Sequence, residues 1–289
     1  MKFELIAPCY FGTESTAAFE VRRLDAEDVQ VTDGRIAFSG DESMIAAANL
    51  NLRCAERVLI LLKRFPARTF DELFDGVYAV PWEELLPADA AFPVKGSSLS
   101  STLSSVPACQ SIVKKAVVER LKKGHKTLFL PETGVQYKIR FSIRKDQAEL
   151  MLDTSGEGLH KRGYRRNATG APIKETLAAA MLDLGRVYPD STVQDPFCGS
   201  GTMCIEAAMK AMRTAPGLRR RFAAEHYAFV PKEAFTQARE KALSEIVRDA
   251  PFEPFGSDID PAAVELATHN ANSRISWTMG SVIIPPDNT

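Results

Sequence analysis

No Cys-x-x-Cys pair occurs among the five cysteines, Cys9, Cys54, Cys109, Cys198 and Cys204. An odd number of scattered thiols argues against a disulfide framework and a thiolate zinc site, so no metal is expected and the compartment reads as a reducing cytoplasm. Long apolar runs are also missing. Runs such as Val58 to Leu62 are far shorter than the ~20 residues of a membrane helix, so no membrane partner is expected. Met1 to Cys9 lacks the basic start and apolar core of a signal peptide. The chain has 289 residues and 45% hydrophobic content, enough for two packed domains.

A net charge of only −1 conceals an asymmetry. Residues 1–113 carry −6, residues 114–166 carry +8 and residues 167–289 carry −3. A basic block between acidic ones is the pattern of a chain that binds a polyanion at one place. Within it, Pro107 to Lys123 reads as a helix with Ile112, Ala116, Val117 and Leu121 inward, and Lys114, Lys115, Lys122 and Lys123 facing water.

Before this block the pattern is α+β. Phe3 to Cys9 reads as a strand, followed by a helix with Ala17, Phe19, Val21 and Leu24 on its apolar positions. Two alternating segments flank Asp33-Gly34, a short-range hairpin signal. Asp41 is placed to cap a helix through Asn51, Arg57 to Lys63 reads as a strand, and Thr69 with Glu72 forms a capping box. This order predicts a ferredoxin-like sheet. A second unit has strands at Ala91 to Lys95, Val135 to Ile143 and Ala148 to Asp153; Tyr137, Ile139 and Phe141 share one face, and Lys138, Arg140 and Ser142 the other.

The stretch richest in chemistry is Asp195-Pro196-Phe197-Cys198-Gly199-Ser200-Gly201-Thr202, between a short strand containing Val193 and a helix from Met203 to Met212. Gly199 and Gly201 let the backbone turn sharply and lie against a ligand, and Thr202 is placed to cap the helix. Such a loop lies where open α/β sheets bind ligands, at the carboxyl ends of strands. It is not a phosphate loop, because Met203 stands where a lysine is needed. It is not a dinucleotide loop, because Cys204 replaces the third glycine and the nearest candidate ribose acid, Asp258, lies far beyond the usual spacing. An acid before the loop favours an adenosyl cofactor with a cationic amino-acid end. The second strand is read from Phe255 to Asp258; Asp260 then caps a helix from Ala262 to Asn272. Cys198 as a nucleophile and His160 as a base are disfavoured, the first as a small packing residue, the second as a lone histidine in a basic segment.

The Asp195–Thr202 wording resembles the cofactor loop of class I S-adenosylmethionine-dependent methyltransferases, in the branch that methylates exocyclic amines of bases. Phe92-Pro93-Val94-Lys95-Gly96-Ser97, the serine-rich loop and the basic helix resemble a THUMP domain. Leu159-His160-Lys161-Arg162-Gly163-Tyr164-Arg165, then Ala171-Pro172-Ile173-Lys174-Glu175, resemble the joint of THUMP-containing large-subunit rRNA guanine-N2 methyltransferases. The resemblance implies an α+β N-terminal half, ferredoxin-like over 1–66 and THUMP over 67–155. A linker over 156–172 and an incomplete α/β Rossmann-like class I methyltransferase domain over 173–289 follow. It implies S-adenosyl-L-methionine held by Asp195 through Thr202, Asp258 at the ribose, and Ile259. It implies 23S rRNA as partner, contacted by Lys114, Lys115, Lys122, Lys123, Arg162, Arg165 and Arg166.

One family element is missing. Amine methyltransferases resemble one another in an Asn/Asp-Pro-Pro-Tyr/Phe motif that orients the target amine, and no such motif occurs in these 289 residues. Ile284-Pro285-Pro286-Asp287 lacks both the leading acid or amide and the aromatic. The chain as written is therefore expected to be inactive by itself. A non-catalytic RNA-binding remnant is one alternative, and a DNA amino-methyltransferase a weaker one. Three arginines ahead of Phe222, His226 and Tyr227 offer either phosphate clamps with stacking surfaces or a turn with a buried aromatic.

Overall fold

A computed structural model describes residues 1–165 and 172–272. The N-terminal half runs β1 (Phe3–Pro8), α1 (Glu14–Arg22), β2 (Glu27–Thr32), β3 (Arg35–Gly40), α2 (Glu42–Asn51), β4 (Leu59–Pro66), α3 (Phe70–Tyr78), α4 (Trp82–Leu85), β5 (Val94–Leu99), α5 (Val106–Gly124), β6 (Ile139–Arg144) and β7 (Gln147–Asp153). Local signals act as expected. Asp41 accepts from the Met44 amide, Thr69 accepts from the Glu72 amide, and Gly34 turns the β2–β3 hairpin with φ of +72°. Phe19, read as inward, is exposed instead; Ala17, Ala18 and Val21 are the buried positions of α1.

The ferredoxin-like and THUMP-like units share one seven-stranded sheet in the order β2-β3-β1-β4-β7-β6-β5. The join is the antiparallel pairing of β4 with β7, from Leu59 opposite Asp153 to Pro66 opposite Gln147. Two separate sheets would leave both strands as open edges with unpaired N–H and C=O groups, and pairing removes both edges at once. Alternate residues, among them Leu5, Phe38, Ile60, Leu150, Ile139 and Phe141, build the main core with the helices. Ile6, Leu59, Leu61 and Met151 form a small separate cluster. Helix α5 is capped by Ser105, whose hydroxyl accepts from the Ala108 amide, with Pro107 in its first turn.

After the joint come α6 (Glu175–Leu184), β8 (Gln194–Asp195), α7 (Thr202–Ala211), a short 3-10 turn (Ala223–His226), α8 (Lys232–Ser244), β9 (Phe255–Gly256) and α9 (Pro261–Asn272). β8 and β9 are parallel, with Asp195 opposite Gly256. The segment between α7 and α8 folds back onto the N-terminal half. Phe222, Tyr227 and Phe235 belong to the main core, and Tyr227 stacks on Tyr137 with ring centroids 4.3 Å apart. The Tyr227 hydroxyl donates to the Asp153 carbonyl, and the Gly217 amide to the Leu50 carbonyl at 2.9 Å. Phe222 and Tyr227 are thus packing residues, and no base can stack on them.

Candidate cofactor site

Strand pairing brings the two acidic positions together. The Ser257 amide donates to the Asp195 carbonyl and the Cys198 amide to the Ser257 carbonyl, both at 2.9 Å, so the loops after β8 and β9 run side by side. Asp258 Oδ2 accepts from the Gly199 amide at 2.9 Å, and its Oδ1 from the Asp260 amide at 3.0 Å. These two amides hold the Asp258 carboxyl below the usual aspartate range. Asp195 behaves oppositely. It accepts from the Phe197 amide, but burial raises its pKa and the neighbouring Asp258 charge adds to the rise. One carboxylate is thus settled as an anion, while the other gains from a cation placed beside it.

The two glycines differ. Gly201 has φ of +79°, and a Cβ there would lie 2.9 Å from Ala267 Cβ, so this glycine lets α9 pack on the loop. Gly199 has φ of +50°, and a Cβ there would meet nothing within 4 Å. The half-buried backbone there has free space where a side chain would stand. Phe197 and Ile259, 85% and 81% exposed, add apolar surface from the two loops. Gly201, not Thr202, occupies the N-cap of α7. The expectation that Thr202 caps the helix is corrected: it is the first helical residue, and its hydroxyl accepts from Arg165 Nη2 at 2.7 Å and bonds Ser200 Oγ at 3.2 Å. Asn270 of α9 steadies the loop by donating to the Ser200 carbonyl at 3.1 Å. Asp260 accepts from the Ala262 amide at the start of α9, as its capping role requires. Cys198 is buried and its thiol is pushed up to about 11, which keeps it protonated and unsuited to attack.

The basic joint has another use than the one expected. Arg162 is 1% exposed and donates to Glu206 of α7 at 3.3 Å and to the carbonyls of Leu159 and Arg53. Its placement among RNA contacts is therefore corrected, since a guanidinium buried against a carboxylate has no surface for a phosphate. Tyr164 donates to the same carboxylate at 3.0 Å, and Arg53 lies 3.6 Å from it. Arg165 is largely buried and holds Thr202 and the Ile173 carbonyl, 3.6 Å from Glu175. Arg166 lies outside the described residues. Sequence reading missed Glu206, Arg53 and Asn270; nothing in the local pattern of α7, of the segment after α2 or of α9 marks them, because their partners are distant in sequence. On α5, Lys114 is engaged by Glu132 at 2.6 Å and stands 3.5 Å from the Phe92 ring centroid. Lys115 pairs loosely with Glu119 at 3.9 Å, Lys123 is exposed and Lys122 half-buried.

The arrangement is a glycine-opened loop, two carboxylates of opposite character and a helix N-terminus, which suits a nucleoside with a cationic tail. Sequence comparison agrees. Residues 4–59 match the model of the RlmL ferredoxin-like domain, residues 67–153 that of the THUMP domain, and residues 162–278 that of an RMKL-like methyltransferase domain. The chain is 47% identical over 272 residues to "Putative RNA methyltransferase YpsC" of Bacillus subtilis, covering 93% of this chain and 70% of the relative. Among solved structures, a "predicted N6-adenine-specific DNA methylase" from Listeria monocytogenes is 47% identical with a TM-score of 0.90, covering 94% of this chain and 72% of that one. SMU.472, "a putative methyltransferase complexed with SAH", is 44% identical with a TM-score of 0.89, over 94% of this chain and 72% of that one.

Proposed function

Because the chain belongs to the THUMP-domain methyltransferases with an RlmL-like ferredoxin domain, we propose that it methylates RNA, at N2 of a guanine in 23S rRNA. The observation that carries the RNA reading is the fusion of a THUMP-type sheet, through a shared core, to the half that carries the cofactor loop, with Tyr227 stacked on Tyr137. A base-modifying enzyme needs its substrate held in a fixed relation to the methyl donor, and a shared core provides that.

S-adenosylmethionine supplies an electrophilic methyl group on its sulfonium. The chain's residues bind and orient. Asp258 accepts from the ribose hydroxyls with the lone pairs that Gly199 and Asp260 leave free. Asp195 faces the cationic amino-acid end, which lowers its raised pKa again. The Gly199 backbone and the α7 N-terminus line the approach, and Phe197 and Ile259 cover apolar surface of the nucleoside. RNA contacts come from Lys115, Lys122 and Lys123, with Lys114 and Arg165 secondary because each already has protein partners.

The name of the Listeria relative favours a second reading, methylation of adenine N6 in DNA. One experiment separates the two. A strain lacking this gene should lose one N2-methylguanosine from 23S rRNA, mapped by mass spectrometry of nucleolytic fragments. A full set of rRNA methylations together with a lost N6-methyladenine in DNA would establish the second reading.

A further inference from the structure

Cations are distributed unevenly on the seven-stranded sheet. Arg35 and Arg64 are matched by Glu149 and Glu4. Next to the joint, by contrast, Lys95 and Lys138 lie close to Arg140 and Arg57, which meet at Asp153. This carboxylate is fully buried, and both its oxygens are taken: Oδ2 accepts from Arg57 Nη1 and Arg140 Nε at 2.8 Å, and Oδ1 from the Ser155 and Gly156 amides at 3.1 Å. The Gly156 carbonyl accepts from Arg57 Nη1 at 2.7 Å and from Lys138 Nζ at 3.4 Å. Lys95 stands beside Arg140 in the parallel β5–β6 register and is exposed.

One carboxylate therefore fixes two guanidiniums, and two lysines stand beside them. Glu56 also acts on Arg57, but its oxygens are shared among Lys174, Thr176 and His160. Burial lowers the pKa of Lys138, and although Asp153 opposes this, Arg57, Arg140 and Lys95 add to the lowering. Packing alone does not call for such a gathering, because like charges at short range destabilise the fold. The guanidinium groups are held in fixed positions by Asp153 yet stay about a quarter exposed, at 23% and 25%. Fixed, part-exposed guanidiniums flanked by lysines are complementary to a phosphate. The place matters too. Gly156 opens the joint, and Arg220 from the segment between α7 and α8 donates to the neighbouring Glu157 carbonyl at 3.0 Å.

We propose that Arg57, Arg140, Lys138 and Lys95 form a phosphodiester-binding site for the RNA substrate, separate from α5, at the end of the sheet that meets the methyltransferase half. This rests on the RNA reading given above. A strand held here is anchored where the RNA-binding half meets the joint, so that the site sets the register of the substrate as well as adding affinity.

The test uses the 289-residue chain and 23S rRNA fragments. The double variant Lys95→Gln/Lys138→Gln leaves the Asp153–arginine bonds intact, and Lys232→Gln/Lys241→Gln on exposed positions of α8 is the control. Two lost contacts should lower the log–log salt slope of binding by about 1.4–1.8, with no change in the control. In wild type, RNA should protect Lys95 and Lys138, and not Lys232 or Lys241, from an amine-reactive label. Wild-type binding with an unchanged slope in the double variant and no protection overturns the proposal and leaves the RNA reading standing. Wild type that binds no RNA at any salt concentration removes the RNA reading and the proposal with it. Equal protection by inorganic phosphate alone reassigns the site to a small anion and also overturns the proposal.

Discussion

Asp258 Oδ2 receives the Gly199 amide at 2.9 Å, across the gap between the loops that follow β9 and β8. The carboxylate proposed to hold the ribose therefore also fixes the loop on which the rest of the cofactor lies. Asp258→Ala should lose both functions. Using the range for hydrogen bonds to charged groups, the cost in S-adenosylhomocysteine affinity should be about 1.5–3 kcal/mol, or roughly 10- to 150-fold. Asp258→Asn keeps an acceptor for Gly199 and should lose less. Calorimetry giving equal affinity for wild type and Asp258→Ala would remove Asp258 from the site.

A pH dependence follows from Glu20. It accepts from the backbone amides of Arg53 and Cys54 and lies near Cys54 and Asp183. These three side chains are of metal-ligand types, but Asp183 is engaged by Lys210. Burial pushes the Glu20 carboxyl from 4.5 up to about 7; the Cys54 amide opposes this and Asp183 adds to it. Between these values the folded chain holds a proton that the unfolded chain has released, so the term stabilises less and less as pH rises through the window and levels off above about 7. Glu20→Gln keeps the acceptor for both amides and should remove the slope, gaining up to about 3 kcal/mol at alkaline pH. Thermal melts at a series of pH values check this, and parallel curves for the two proteins would contradict it.

How much of this was legible depended on range. The Asp41 and Thr69 caps, the Asp33-Gly34 turn and the Asp195 loop are local, and their signals lie within a few residues. The β4–β7 pairing is not, since Leu59 meets Asp153 and no local pattern chooses one edge strand as partner for another. Arg162 shows the same limit within the site. In sequence it sits among basic residues and reads as a phosphate contact, whereas its partner Glu206 lies 44 positions on, in the helix that follows the loop. Charge indicated that a counter-ion was needed and did not say which.

The α5 lysines should be unequal, although the sequence presents them as one patch. Lys114 is tied to Glu132 and to the Phe92 ring, so Lys114→Ala should change RNA binding little. Lys122→Ala and Lys123→Ala should each lower the log–log salt slope by about 0.7–0.9. Filter binding across a salt series reads this directly. Slopes that fall equally for all the lysines would mean that Lys114 leaves its protein partners on binding.

The two loop glycines separate a ligand site from a turn that is merely tight. At Gly201 a methyl group meets Ala267 Cβ at 2.9 Å with φ at +79°, so Gly201→Ala must displace α9 or distort the loop. It should cost about 1–3 kcal/mol of stability for the strained backbone alone. At Gly199 the added methyl meets no protein atom within 4 Å, and only the left-handed backbone, φ +50°, opposes it. Gly199→Ala should therefore cost only about 1–2 kcal/mol in stability. Its main effect should fall on cofactor affinity, because the methyl group would occupy space that the ligand needs. If the glycines serve chain geometry only, S-adenosylhomocysteine affinity should follow stability in both variants. If Gly199 faces the ligand, its variant should melt nearer to wild type than Gly201→Ala does and bind the cofactor product more weakly. Melting curves and calorimetry on the same preparations distinguish the two, and a Gly199→Ala protein with undiminished affinity would return the loop to a turn.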